Sequence, residues 1–169
     1  THRASLALLL MTACSHSSEK GAPAKTTPLI GVERQITSGP GGRILSNTGV
    51  WSPDGRWIVY DTRFGAGFDG TRIEAVNVRT GEIKVLYESK NGASCGVVTR
   101  HPRAKKVVFI LGPENPTPDW QYDFSHRQGV IVDWAKPGVA VNLDARDLTP
   151  PFTPGALRGG SHVHVWDAH

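Results

Sequence analysis

Two histidines separated by one residue, His162 and His164, form the sharpest chemical pattern in the chain. Alternate side chains of a β-strand project from the same face, so both imidazoles could approach one ion or anion. Zn²⁺ and similar ions need three or four ligands, so the pair supplies only half of a site. His101, at the equivalent turn of the preceding sequence repeat, could supply a third ligand for a divalent metal.

Arg158 is a candidate for anion binding, because Gly159-Gly160 follows it and a flexible loop could present its guanidinium to a carboxylate or phosphate. The alternative is structural and is favoured: the histidines are surface or inter-repeat residues that hydrogen-bond to the backbone. No phosphate-binding glycine loop, nucleophile elbow or cysteine cluster accompanies these residues. The motifs therefore assign no catalytic residue and require no cofactor.

The apolar run Leu6 to Met11 ends shortly before Cys14 and is too short to span a bilayer. With small Thr12 and Ala13 before the cysteine, it resembles a bacterial lipoprotein signal that ends at an acylated cysteine, although Met11 stands where that pattern prefers leucine. We interpret residues 1–14 as the signal peptide and Cys14 as the lipid attachment site.

The segment Ser15 to Pro28 is rich in Ser, Lys, Ala, Thr and Pro, the composition of a flexible tether, and we assign residues 15–31 to it. A tether after a lipidated cysteine predicts a periplasm-facing protein anchored to the outer membrane of a Gram-negative bacterium. Acylation of Cys14 would leave Cys95 without a disulfide partner, and a buried, inert thiol is expected there.

The stretch Trp51 to Tyr60 predicts a strand, a tight turn and a second strand. Pro53 presets φ for the turn, Asp54 can bond to nearby backbone, and Gly55 supplies a positive φ. The following aromatic and β-branched residues are typical of strands.

This pattern recurs along the chain. The first unit predicts strands at 43–52, 56–62, 72–78 and 82–88; the second predicts strands at 95–101, 106–110, 129–134 and 139–143. Pro53 and Pro102, 49 residues apart, stand at equivalent turns. A third unit begins at 161–169.

Four short strands repeated about every 40–50 residues predict an all-β fold, a β-propeller of four-stranded antiparallel blades. A β-sandwich also has short strands, but it would not repeat the same turn chemistry in consecutive units. We expect residues 32–169 to form two blades and part of a third, in a ring of six or more, and the chain to be a fragment of such a protein. The segment 33–37 is expected beside the final blade, where the ring closes.

The Trp51–Tyr60 stretch, with Asn77-Val78-Arg79-Thr80-Gly81-Glu82 downstream, resembles a repeat of the TolB-type propellers, which are periplasmic and usually bind proteins. Residues 147–160 and Ser161-His162-Val163-His164, taken with the order of the chain from Gly31 onwards, resemble a bacterial TolB-like propeller family of unknown function. The resemblance covers about the first half of such a protein and implies architecture and compartment, not a reaction.

The remaining features concern partners. The insertion 112–128 carries aromatic and charged residues suited either to recognition or to capping the core. A net charge of +4 is scattered, which argues against nucleic acid as a partner. We therefore predict a binding or scaffold module for a protein or cell-envelope polymer. The alternatives are a metal-assisted, lyase-like carbohydrate enzyme that uses His162 and His164, or a truncated product without function.

Overall fold

The computed structural model describes residues 31–143, 151, 154 and 160–167. The chain divides into two units, 1–33 and 34–169, and only residues 31–33 of the first are described. The described residues form eight β-strands and no helix, which confirms the all-β prediction. Accordingly, these residues include no helix long and apolar enough to cross a membrane.

The first sheet, sheet 1, is an antiparallel meander of four strands in sequence order. Its strands are β1 (Gly42–Ile44), β2 (Trp57–Arg63), β3 (Arg72–Asn77) and β4 (Ile83–Glu88). Strands β2 and β3 are almost entirely buried because their alternating side chains are covered on both faces. The predicted order of strands is confirmed.

The second sheet, sheet 2, repeats this topology. Its strands are β5 (Cys95–Arg100), β6 (Lys106–Leu111), β7 (Gln128–Asp133) and β8 (Ala140–Asn142). The predicted repeat is therefore real at the level of secondary structure, within one or two residues for most strands.

The first strand of sheet 1 is shorter than the predicted span of 43–52. It ends at Ile44, and pairing with β2 resumes only at the isolated bridge between Trp51 and Ile58. Between them Gly49 has φ of +69°, a conformation that interrupts an extended strand. The interval carries polar side chains that contact neighbouring segments rather than a ladder partner.

The two sheets pack against each other through aromatic pairs. The Trp57 and Trp134 rings meet edge to face with centroids 5.5 Å apart, and the Tyr87 and Phe109 rings lie 5.1 Å apart. These contacts belong to one continuous apolar core drawn from both sheets. At the outer edge the Gly138 amide donates to the carbonyl of Leu86 (2.7 Å).

The start of the expected third repeat is not a strand in the described residues 160–167. Val163 has φ of +46°, which β-branched residues rarely adopt and which breaks strand alternation. The segment nevertheless lies against sheet 2, because the Ser161 amide donates to the carbonyl of Arg127 (3.1 Å). A similar bond, from the Cys95 amide to the carbonyl of Gly70 (2.6 Å), begins the contact of β5 with sheet 1.

Candidate ligand-binding groove

A groove of about 310 Å³ lies between the turn that contains Pro53 and the turn that contains Pro102, which are equivalent turns of the two sheets. We call it the turn groove. Trp51, which is 53 % exposed, stands on the side of sheet 1. The other residues that line it are Thr48, Gly49, Pro53, Thr99, Arg100, Pro102, Val165 and Trp166. Its walls are therefore largely aromatic and proline rings.

Arg100, the last residue of β5, is the charged residue of the turn groove and is only 7 % exposed. Its Nη1 donates to the carbonyl of His101 (2.6 Å), and its Nε is buried with no hydrogen-bond partner among the described residues. Burial lowers the pKa of the guanidinium, an effect that the more distant carboxylate of Asp54 partly opposes. A cation held in this way favours an anionic neighbour.

His101 acts first as a cap for its own turn. Its Nδ1 accepts hydrogen bonds from the backbone amides of Arg103 and Ala104, both at 3.0 Å. Its ring also lies against Trp166, with centroids 4.4 Å apart. The favoured structural interpretation of this histidine agrees with these bonds, and the stacking places His101 behind one wall of the turn groove.

His162 and His164 do not share a strand face as expected, because the described segment around them is not a strand. His162 is exposed, whereas His164 is half-buried with its ring against Gly129. Within the described residues no three His, Cys, Asp or Glu side chains gather closely enough to hold a metal ion. A metal site that uses these histidines would thus need further ligands from outside this part of the chain.

Two other predicted residues, Arg158 and Cys14, lie outside the described residues. Cys95 is fully buried in the core as expected, and burial raises the pKa of its thiol above the ordinary value, which disfavours the reactive thiolate.

Asn47 is a residue that the sequence did not single out. Its Nδ2 donates to the hydroxyl of Thr99 (2.6 Å) and to the carbonyl of His164 (3.3 Å). One amide thereby joins the first segment of sheet 1, the first strand of sheet 2 and the segment that follows sheet 2. No local pattern could have revealed it, since its partners are 52 and 117 residues away.

Asp61 is the second residue that was missed. Fully buried on β2, it pairs with Arg63 (2.6 Å) and accepts hydrogen bonds from the Val97 amide (3.0 Å) and the Ser46 hydroxyl (3.2 Å). The sequence offered one clue, a charged residue inside an apolar strand. This cluster holds β5 against β2 beside the turn groove.

The aromatic residues of the insertion 112–128 lie outside the apolar core, so they do not cap it as the alternative interpretation expected. Phe124 is exposed, as a recognition residue would be, and the Arg127 guanidinium lies 4.6 Å from the centre of its ring. Tyr122 instead stacks on Phe68 (4.3 Å), and Trp120 stacks on His126 (4.0 Å). Most of its aromatic residues are thus engaged within the chain.

Comparison with known proteins adds relatives but no activity. Residues 94–169 match the model of a family described as "Protein of unknown function (DUF3748)". Over 134 residues the chain is 55 % identical to the uncharacterized protein YidR of Escherichia coli (strain K12), covering 79 % of this chain and 32 % of YidR. The chain thus spans about a third of the length of this curated relative. No solved structure gives a significant match.

Proposed function

We propose that the chain supplies blades of a TolB-like β-propeller that binds a protein or polymer of the cell envelope, held at the outer membrane by a lipid on Cys14. The observation that carries this proposal is the turn groove, an aromatic-walled recess between two successive sheets. Propellers and other scaffolds of rigid strands commonly bind partners through the turns at one end of their sheets.

Repeated contacts between sheets support the propeller. Lys84 on β4 donates from Nζ to the carbonyl of Trp134 (3.0 Å), which follows β7 of the next sheet. Arg34 donates from its guanidinium to the carbonyl of Val78, which follows β3 of sheet 1. The contact of Arg34 with sheet 1 is thus equivalent to the contact of Lys84 with sheet 2, which supports the expectation that residues 33–37 belong beside the final blade, where the ring closes.

The length of the relative fits a closed ring. Because the chain spans about a third of the length of YidR and its described residues form two four-stranded sheets, a protein of that length has room for about six. The amide of Asn47 bonds to the first strand of sheet 2 and to the segment after sheet 2, as expected if the first segments of successive blades are neighbours in such a ring.

The test uses the chain produced in a Gram-negative host. We expect it to fractionate with the outer membrane, to carry an acyl group on Cys14 by mass spectrometry, and to become soluble as Cys14→Ser. Without its lipid it should co-sediment with isolated cell-wall sacculi or cross-link to one defined envelope protein. Trp51→Ala should weaken this binding, whereas Phe64→Ala, which removes an exposed ring outside the groove lining, should not.

Three results would overturn parts of the proposal separately. An unmodified Cys14 in the membrane fraction refutes the anchor. If the chain binds neither sacculi nor any envelope protein, the binding function is refuted. Equal loss of binding in Trp51→Ala and Phe64→Ala removes the turn groove as its site.

A further inference from the structure

We propose that the turn groove binds a carboxylate-bearing sugar ring, with Arg100 as the counter-charge and tryptophan as the stacking surface. This inference rests on the proposed binding function and names the chemical class of its ligand. It follows from three properties of the groove: a buried cation without an ion-pair partner, buried hydrogen-bond donors without acceptors, and flat apolar walls.

The first property is the charge of Arg100. Burying a guanidinium is costly unless an anion compensates it. None of the ion pairs formed among the described residues includes Arg100. Asp54, the acid with which Arg100 interacts electrostatically, forms its ion pair with Arg56 (3.9 Å). Among the described residues, the partners of the Arg100 guanidinium are the carbonyl of His101 and the ring of Trp134, 5.9 Å away, so a ligand carboxylate could bind without displacing another carboxylate.

The second property is the supply of donors. The Nε of Arg100 and the Nε1 of Trp166 are both buried, and neither has a hydrogen-bond partner among the described residues. Both residues line the groove. Buried donors are normally satisfied, so two covered, unsatisfied N–H groups beside one recess leave an excess of positive charge there, which favours an anionic ligand rich in acceptors. A carboxylate offers about four acceptor positions, and a guanidinium matches it geometrically.

The third property is the shape and polarity of the walls. Trp51, Trp166, Pro53 and Pro102 present ring faces, and the volume of about 310 Å³ is at the lower end of the range for small-molecule sites. A sugar ring has an apolar face that stacks on an aromatic side chain and hydroxyls that remain at the rim. Thr48 lines the groove and adds a hydroxyl for such contacts.

The experiment compares D-glucuronate with D-glucose, which differ in the carboxylate. Both are titrated into the full chain without its lipid, and binding is followed by tryptophan fluorescence and by NMR of the indole N–H groups. We expect glucuronate to bind at least tenfold more tightly than glucose. Arg100→Gln should abolish this preference, whereas Arg56→Gln, a charge outside the groove lining, should retain it.

Trp51→Ala provides a second variant if Arg100→Gln does not fold, because Trp51 is largely exposed and its loss should leave the core intact. We expect Trp51→Ala to weaken binding of both sugars. Equal affinity for glucuronate and glucose, or an unchanged preference in folded Arg100→Gln, would overturn the acidic-sugar site. If Arg100→Gln still binds the envelope component, the acidic-sugar site is refuted but the proposed binding function is not.

Discussion

At the scale of single residues, Ser52 explains why the Pro-Asp-Gly turn forms reliably. Its buried hydroxyl donates to the Asp54 carboxylate (2.5 Å) and accepts from the amides of Arg56 (3.1 Å) and Trp57 (2.9 Å). Gly55 closes the turn with φ of +65° and an amide bond to the Ser52 carbonyl (2.9 Å). The sequence predicted the turn from its proline, aspartate and glycine, but the serine satisfies most of its polar groups.

Ser52→Ala tests this network. The hydroxyl of Ser52 and the amide of Arg56 hold the pKa of Asp54 below its ordinary value, so the bonded carboxylate stabilises the fold at neutral pH and loses that effect as the pH falls through the lowered pKa. We expect Ser52→Ala to raise the pKa of Asp54 in an NMR titration. We also expect it to destabilise the fold by about 1–3 kcal/mol, because the Trp57 amide loses its acceptor while the Arg56 amide retains the Asp54 carboxylate.

Asp123 is the internal control for this titration. Its pKa is also lowered, through bonds from Ser125, and it does not contact Ser52. The pKa of Asp123 should therefore stay where it is in Ser52→Ala. A change of equal size at both carboxyls would indicate global loosening and would contradict a local role for Ser52.

At the scale of elements, the contact between β2 and β5 holds the strand whose last residues, Thr99 and Arg100, line the turn groove. Val97 there has φ of +59°, a strained conformation for a β-branched residue, and the register of β5 on β6 shifts between Gly96 and Thr99. The Asp61 carboxylate accepts the Val97 amide at this irregularity. A Cβ on Gly96 would stand 2.8 Å from Asp61, so the close approach also requires glycine.

Asp61→Ala should therefore be costly. Removing one partner of a buried ion pair typically costs about 3–5 kcal/mol, because the remaining charge, here Arg63, is left uncompensated. The matched control is Glu88→Ala, which breaks the exposed pair with Arg72 (2.8 Å) and should cost less than about 1 kcal/mol. Urea unfolding of both variants provides the comparison. Similar midpoints would show that the buried pair does not hold the sheets together.

The same scale shows what the sequence could predict. Strands and turns were predictable because they depend on local patterns: a continuous run of β-branched and other apolar residues in β6, and glycine in the turns. The end of β1 and the segment around Val163 were not predictable, because positive φ values at Gly49 and Val163 interrupt stretches whose sequence is typical of extended strands. Arg100 and Asn47 escaped prediction as site residues because only the packing of one sheet on another creates their surroundings.

At the scale of the whole molecule, sheet 1 and sheet 2 differ in how their equivalent faces are covered. Val59 and Ala75 of sheet 1 are fully buried, in a core built from both sheets. The matching face of sheet 2 leaves apolar residues of β8 and its flanks exposed: Val139, Val141 (61 %) and Leu143. The segment of Val163 and His164 covers one end of that face, against Val108 and Leu143. If sheets stack in series, this face fits a further sheet.

An apolar sheet face without its neighbour should make the chain associate with itself, since such patches bind other apolar surfaces. We expect sedimentation velocity to show concentration-dependent association of the chain without its lipid, and Val141→Lys to shift it towards the monomer. Val32→Lys is the matched control, because Val32 is 98 % exposed and lies outside the sheets. A chain that stays monomeric at all concentrations, or an equal effect of both substitutions, would mean that sheet 2 needs no neighbour. The serial stacking on which the proposed propeller depends would then lose its support.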